Sequence, residues 1–577
     1  MKKLIVVILL CILVALMAGC DAGQLAVPSQ PTSPSQPEPT QPEQLCADGH
    51  AFSEETDLCN VCGMEYYAAT LAFELREDGK SYALVGIGSC SRDVIRVPET
   101  YMGKPVTEIG DRALANMNFK VGDSTITEVI LPDTIESIGK EAFFLCNNLR
   151  SISLPSSCLS IGSSAFSDCE KLQTVEWNEG LLSIGWAAFG GCRSLQEAIL
   201  PSTVTFVDGA AFSECVSLTN IRFPDGITQL RKAVISGCAS LETVRVPAGV
   251  TVIPELFAYE CTSLKQVIFE GEIVEIGKSA FASCTALEVF AIPETVTHIS
   301  DNAFALCTGL RNITIPEGVT CLHQNTFKGC DALQYNTYEG GLYLSVGDNP
   351  YYWLIASMHP DVKTLIIHDE CKQMLERALK ETDIEHITIG KSIHNISSDE
   401  LSMPNLKTIQ VTQGNTKYHA TDNCLIETAT KTLVRAGSDA VIPTDGSVKV
   451  IGSFAFAYLD GLSQVVIPNA VTQIDSGAFA YCKNLEWILI GSGVSKIGSD
   501  PLKEAKENCL VFYQGTDAQW DAIEIYGDGT GGDGYYPDLN SRLLRGVHYC
   551  YSRTEPVVEG DYWHYVDDVP TVWPRKE

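Results

Sequence analysis

The residues of this sequence best suited to bind a metal ion are Cys46, His50, Cys59 and Cys62. Three thiolates and one imidazole match a tetrahedral structural zinc site, and the C-x2-C pair suits a knuckle turn. Four protein ligands leave no open coordination position, so the predicted zinc is structural rather than catalytic. The alternative is a disulfide, either Cys59–Cys62 or one that includes Cys46, because thiols of an exported segment can oxidise.

A second set of cysteines repeats at intervals of 23 residues: Cys146, Cys169, Cys192, Cys215, Cys238, Cys261, Cys284, Cys307 and Cys330. Disulfides between neighbours or a metal stack are conceivable, since stacked strands lie about 4.8 Å apart. However, the number is odd, all positions are equivalent, and no His or carboxylate recurs beside them. We therefore predict a buried stack of free thiols that pack as small hydrophobic side chains.

Seven further cysteines fall outside this register, and the sequence leaves their pairing open: Cys90, Cys158, Cys321, Cys371, Cys424, Cys509 and Cys550.

The residues around each cysteine of the register define a repeat unit, C-x-x-L-x-x-I-x-I-P-x-x-V-x-x-I-G-x-x-A-F-x-x. A fixed period of this length predicts a solenoid, in which each unit buries its apolar face only against its neighbours. The L-x-x-I-x-I stretch predicts one parallel β-strand per coil, which ends at the proline. The I-G-x-x-A-F stretch predicts a short helical or 3-10 arc that returns the chain.

This unit is similar to the BspA-like class of bacterial leucine-rich repeats. The pattern covers residues 123–333 strongly and reappears over 447–509. The resemblance implies a leucine-rich repeat solenoid on the bacterial surface, associated with adhesion to host matrix proteins, to other cells or to surfaces. It predicts a non-enzymatic binding protein whose partners are protein or glycan ligands on host or neighbouring cells.

The domain boundaries follow from changes in composition and repeat quality. The predicted segments are a lipoprotein signal peptide (1–19), a lipid-anchored Pro-rich tether (20–45), the Cys/His knuckle (46–66), an N-terminal cap with a first imperfect repeat (67–122), regular repeats (123–333), degenerate repeats with hairpin insertions (334–446), resumed repeats (447–525) and an aromatic-rich C-terminal cap (526–577). Contact sites are expected where the repeat breaks, at 334–446 and after 509, although either region can instead be purely structural.

The N-terminus predicts export and lipidation. A basic start and an apolar run end in Leu16-Met17-Ala18-Gly19-Cys20, which resembles a bacterial lipobox. By that resemblance Cys20 becomes the lipid-bearing first residue of the mature chain. We therefore expect the protein on the extracellular face of the bacterial cell membrane, attached through its lipid.

Composition narrows the function further. The 577 residues carry a formal net charge of −32, which argues against a nucleic-acid partner because phosphates are held by clustered Lys and Arg. The sequence contains no H-E-x-x-H, G-x-S-x-G or phosphate-binding glycine loop, so catalysis has little support.

The predicted outward strand positions are mixed and mostly small or polar, as a protein- or glycan-binding surface requires. They include Ser151 and Ser153, Thr174 and Glu176, Asn220 and Arg222, Thr243 and Arg245, Gln266 and Ile268, and Asn312 and Thr314. Two alternatives to an adhesin remain. One is a structural envelope spacer, and the other is a carbohydrate-binding protein that acts through the aromatic residues of the tail.

Replacing the predicted lipid attachment residue tests the anchor. A Cys20→Ala chain should be shed into the medium, because it lacks the thiol that receives the lipid. Immunoblots of washed cells and of the medium would measure this. A Cys20→Ala chain that stays on the cells would show that the lipobox assignment is wrong.

The predicted knuckle is tested by metal analysis of the purified mature chain. We expect about one tightly held zinc ion per chain, lost in Cys59→Ser because a tetrahedral site then lacks a ligand. Absence of zinc from the native protein would end the zinc interpretation in favour of a disulfide or of neither.

Overall fold

The structure, a computed structural model, describes residues 53, 59, 65–116, 125–323, 325–380, 382–396, 400–526, 548–553, 561–567 and 569–573. The chain divides into two compact units, residues 1–69 and 70–577. Helix α1 (Tyr66–Thr70) begins in the first unit, and α2 (Asp517–Trp520) lies in the second. Within the described ranges, no helix is long and apolar enough to span a bilayer.

The second unit is a β-solenoid. It begins with β1 (Ala72–Leu75), β2 (Tyr82–Gly86), β3 (Val94–Arg96), β4 (Thr100–Tyr101) and β5 (Lys104–Ile109). The regular block contains β6 (Glu128–Ile130), β7 (Ser137–Ile138), β8 (Ser151–Ser153), β9 (Ser160–Ile161), β10 (Thr174–Glu176), β11 (Ser183–Ile184), β12 (Glu197–Ile199), β13 (Phe206–Val207), β14 (Asn220–Arg222), β15 (Thr243–Val246), β16 (Val252–Ile253), β17 (Gln266–Phe269), β18 (Glu275–Ile276), β19 (Val289–Ala291), β20 (His298–Ile299), β21 (Asn312–Thr314) and β22 (Cys321–Leu322).

The remaining strands belong to the interrupted and final parts of the solenoid. The interrupted part contains β23 (Asn336–Tyr338), β24 (Gly341–Val346), β25 (Asn349–Ser357), β26 (Thr364–Ile366), β27 (Gln373–Met374), β28 (His386–Ile389), β29 (Thr408–Val411), β30 (Tyr418–Thr421), β31 (Cys424–Glu427) and β32 (Thr432–Ala436). The final part contains β33 (Val450–Ile451), β34 (Gln464–Ile467), β35 (Gln473–Ile474), β36 (Trp487–Ile490), β37 (Lys496–Ile497), β38 (Leu510–Tyr513), β39 (Glu524–Ile525), β40 (His548–Tyr551), β41 (Tyr562–Val566) and β42 (Val569–Val572).

Regular coils contain two strands rather than the single strand that the sequence predicted, except the coil of β14, which has only the first. The longer first strand pairs in parallel with its counterpart in a neighbouring coil, as β8 does with β10. The proline then opens a tight turn, in which the Cys158 N–H donates to the Pro155 carbonyl at 3.0 Å. A two-residue second strand follows, and β9 pairs in parallel with both β7 and β11. The predicted parallel solenoid is confirmed. The second strands of successive coils form an additional parallel sheet.

The return arc is not helical, so this part of the prediction was wrong. In each regular coil the residues one and five places before the register cysteine have positive φ, such as Asp168 (57°) and Ser164 (54°). These left-handed residues alternate the direction of the backbone N–H groups. Ser164, Phe166 and Asp168 therefore donate N–H bonds, each of 2.7 Å, to carbonyl oxygens of the next coil. The left-handed backbone costs about 1–3 kcal/mol per residue, which the hydrogen bonds of the stack must offset.

Stacked aromatic rings fill the core beside the arc. The rings of Phe143, Phe166, Phe189 and Phe212 are nearly parallel, within 5°, with successive centroids 4.7, 5.1 and 5.5 Å apart. Where the register phenylalanine is absent, Phe257 enters the core from the neighbouring position and meets Phe281 edge-on at 6.0 Å. A single hydrophobic column is thus maintained across an irregular repeat.

The nine register cysteines all lie in this core. From Cys169 to Cys330, each Sγ lies 3.1–3.2 Å from a backbone carbonyl oxygen 26 residues earlier in the chain. Burial raises the pKa of the register thiols from Cys169 to Cys284, for example that of Cys261 to about 12. A thiol that stays protonated can donate S–H to the carbonyl, so the cysteines link coils as well as fill space.

Hairpins interrupt the stack at the places where the sequence pattern weakens. Antiparallel β1 and β2 form a hairpin at the start, and β31 and β32 form one within 334–446, where hairpin insertions were predicted. A further antiparallel sheet of β23, β24 and β25 follows the regular block. At the other end, β40, β41 and β42 extend the sheet of first strands beyond β38.

Truncating one ring of the aromatic column should destabilise the solenoid. For Phe189→Ala we expect the free energy of unfolding to fall by about 3–5 kcal/mol, because a buried cavity replaces the ring. Denaturant titration followed by circular dichroism would measure this. The matched control is Phe206→Ala, which removes an exposed ring of β13. It should lower the free energy of unfolding by about 0.5 kcal/mol or less. Equal losses of stability in the two variants would contradict the prediction that the stacked rings stabilise the solenoid.

Candidate binding surfaces

The first-strand face comprises the outward side chains of the first strands from β8 to β21. The first and third residues of these strands are exposed while the middle residue is buried, except in β17, which is only partly exposed. Neighbouring coils exchange polar contacts on this face. Asn220 Nδ2 donates to Glu197 Oε1 at 2.6 Å, and an Arg245 nitrogen lies 3.0 Å from Glu270 Oε1. The face is largely polar, as the sequence predicted for these positions.

The second-strand face comprises exposed apolar side chains on and beside the two-residue strands. Its members are Leu159, Leu182, Trp186, Phe206, Val252 and Val274. Leu159 and Leu182 are neighbours, because the Leu182 N–H donates to the Leu159 carbonyl at 2.9 Å. The Arg231 guanidinium lies 5.6 Å from the centroid of the Phe206 ring. Leu182 is 46% and Trp186 42% exposed, so large apolar surface meets solvent here.

Sequence reasoning missed the second-strand face because it predicted one strand per coil and no strand between the proline and the I-G-x-x-A-F arc. The available signal was the apolar residue that precedes S-I-G in two successive coils, at Leu159 and Leu182. Trp186 follows the glycine of the second of these coils. Its indole lies against Gly209, where an added Cβ would come within 3.3 Å of the ring.

A pocket of about 360 Å³ lies where the interrupted part of the solenoid meets the final repeats. Its lining residues are Arg377, Lys380, Ser402, Pro404, Tyr458, Asp460, Tyr481 and Lys483. The rings of Tyr458 and Tyr481 stack with centroids 4.5 Å apart and planes 6° apart. Half of the lining thus comes from the 334–446 region in which a contact site was predicted.

The aromatic residues of the tail are divided between core and surface. Trp563 is fully buried, and its indole N–H donates to the Tyr513 carbonyl at 3.0 Å. Trp573 stacks on His564 with centroids 3.7 Å apart. Tyr551 and Tyr565 are exposed, so these two rings remain accessible to a ligand.

Most residues of the predicted zinc and lipid sites lie outside the described part of the chain. Cys20, Cys46, His50 and Cys62 belong to this group. Cys59 is described and is buried. Zinc binding by the knuckle and lipidation of Cys20 therefore stay predictions.

The repeat pattern places the chain in a family. The BspA type leucine rich repeat region, in six copies, matches residues 112–242, 233–349, 358–434 and 438–513. These segments together make up more than half of the chain, so the protein belongs to the BspA type leucine-rich repeat family. No curated protein shows detectable similarity to it.

Several solved structures of bacterial leucine-rich repeat proteins are similar to this one. A protein from Bacteroides ovatus is 20% identical, with 79% of this chain and 96% of that chain covered and a TM-score of 0.41. A leucine rich cell surface protein from Faecalibacterium prausnitzii is 22% identical over the same shares, with a TM-score of 0.29. The T. pallidum leucine rich repeat protein is 24% identical, with 38% and 87% covered and a TM-score of 0.29. Because these TM-scores are below 0.5, the family assignment rests on the repeat match.

Proposed function

We propose that this protein is a non-enzymatic adhesin, anchored by lipid at the extracellular face of a bacterial membrane, that binds a host matrix protein or a protein of another cell. The observation that carries the proposal is the row of exposed apolar side chains on the second-strand face. Soluble proteins rarely expose large apolar patches, and such patches mark sites of protein binding.

The composition of the patch supports a protein ligand. Trp186, Phe206 and Arg231 belong to the residue types that are enriched at interfaces and that dominate binding energy. Leu182 adds exposed aliphatic surface to the same face. The side chains project from a backbone that is hydrogen-bonded to neighbouring coils on both sides. A rigid surface loses little conformational entropy on binding, so less of the contact energy is offset by the cost of ordering the surface.

The predicted export features agree with such a role. A lipid at Cys20 would hold the chain at the membrane, and the Pro-rich segment that follows favours extended conformations that would separate the solenoid from the lipid. The stacked coils would then be presented outward to ligands on other surfaces.

A truncation within the patch tests this function. The purified mature chain should bind saturably to at least one member of a panel of purified extracellular matrix proteins, measured by surface plasmon resonance. We expect Trp186→Ala to weaken that binding about tenfold or more, because it removes the large aromatic contact.

The matched control is Ile199→Ala, which truncates an exposed apolar residue of the first-strand face. It should leave the dissociation constant within about twofold, while circular dichroism confirms that both variants fold. Equal weakening by both variants would move the site away from the second-strand face. Absence of binding to the whole panel would favour the envelope spacer, and glycan-array binding lost in Tyr551→Ala would favour a carbohydrate-binding tail.

A further inference from the structure

Three metal-ligating side chains meet where the regular block ends. Asp301, His323 and Glu376 each offer a ligand atom within 4.8 Å of the others, and we name them the junction cluster. His323 Nδ1 lies 2.8 Å from Glu376 Oε2, and His323 Nε2 lies 3.4 Å from Cys321 Sγ. Both ring nitrogens therefore already face groups that ligate transition metals.

The interruption of the repeat creates this cluster. The His323 N–H donates to the Ile299 carbonyl of the coil before it, at 3.1 Å. On the other side, the Glu376 N–H donates to the Leu322 carbonyl at 3.2 Å, although Glu376 lies 53 residues after His323. The sheet of β23, β24 and β25 is inserted between them, and the stack resumes with β27. Asp301 and Glu376 therefore flank His323 from the coils on either side.

The charges of the cluster are incompletely compensated by the protein. Asp301 Oδ1 is excluded from solvent and has no hydrogen-bond partner within the described part of the chain. Glu376 pairs with His323, and no Lys or Arg of the described residues forms an ion pair with either carboxylate. A buried carboxylate oxygen without a partner is costly unless a cation neutralises it.

A second interpretation of the same residues is a nucleophilic thiol. Cys321, His323 and Glu376 have the order of nucleophile, base and orienting carboxylate. Reactive cysteines, however, lie in electropositive surroundings that stabilise the thiolate. Here two carboxylates, Asp301 and Glu376, surround His323 without an ion-paired Lys or Arg among the described residues, so the surroundings are electronegative and suit a cation.

We propose that the junction cluster binds one divalent transition-metal ion, for which zinc is the best match, through Asp301, His323 and Glu376. Zinc accepts imidazole nitrogen at about 2.0–2.1 Å and carboxylate oxygen at about 2.0–2.2 Å, and small side-chain adjustments bring these groups to such distances. His323 Nδ1, which faces Glu376, would bind the ion, and Nε2 would keep Cys321 Sγ as the neighbour that fixes the ring.

The ion would join three coils across the insertion. The side chains of His323 and Glu376 are 39% and 37% exposed, so the ion can enter from solvent and water can complete its coordination. These ligands differ from those predicted for the knuckle, Cys46, His50, Cys59 and Cys62, and from the members of the second-strand face.

The test is zinc titration of the purified mature chain carrying Cys59→Ser, which removes the predicted knuckle site. We expect one saturable zinc equivalent by isothermal titration calorimetry, and a higher thermal unfolding midpoint with zinc because the ion binds the folded state. His323→Gln, which preserves a polar side chain at this position, should weaken zinc binding at least tenfold and remove the midpoint shift.

Two further variants keep the result interpretable. His298→Gln alters an exposed histidine of the preceding coil and should leave zinc affinity unchanged. Asp301→Asn should weaken zinc binding at least tenfold even if His323→Gln fails to fold. Unchanged affinity in Asp301→Asn and His323→Gln would overturn the proposal. Rapid alkylation of Cys321 by iodoacetamide that depends on His323 and is insensitive to zinc would overturn it in favour of the nucleophilic thiol.

Discussion

The structure depends on one constraint, namely that the polar backbone groups of each return arc must find partners in the adjacent coil. Strands satisfy this requirement by their ordinary geometry, but an arc that curves around a core does not. The left-handed residues solve the problem by turning alternate N–H groups toward the next coil, as at Ser164 and Asp168. The buried thiols and stacked rings follow from the same register, because residues of equal position must then lie directly above one another.

Where a hairpin replaces an arc, a side chain donates the hydrogen bonds that backbone N–H groups donate elsewhere. Arg435 of β32 is fully buried, and its guanidinium donates to the Ala457 carbonyl at 2.9 Å and to the Phe454 carbonyl at 3.1 Å. In regular coils the carbonyl at the position of Ala457 accepts an N–H from the preceding arc. Interruptions thus bring charged groups into a core that otherwise excludes them. The junction cluster and the tyrosine-lined pocket both lie at such interruptions.

The period and composition of the sequence were sufficient to predict the parallel solenoid and the hairpin insertions within 334–446. They were insufficient for the arc, because Ala and Phe spaced as in I-G-x-x-A-F match a short helix as well as a chain of turns. Leu182 and Trp186 were missed because the sequence predicted no second strand, and they lie immediately before and two residues after β11. The contact of Glu376 with His323 could not be predicted for a different reason. It depends on how the chain leaves and rejoins the stack between these two residues, which lie 53 positions apart.

The equivalence of the hydrogen bonds on the two sides of a coil has a consequence for how such proteins change over generations. Insertion or loss of one whole 23-residue unit between regular coils leaves every remaining junction chemically the same. Unequal recombination between repeats can therefore lengthen or shorten the solenoid in steps of about 4.8 Å without a new folding problem. The length of the solenoid and its surface area can therefore change by inheritance without a change in stability at each junction. The interruptions lack this symmetry, so they cannot be inserted or lost in the same way.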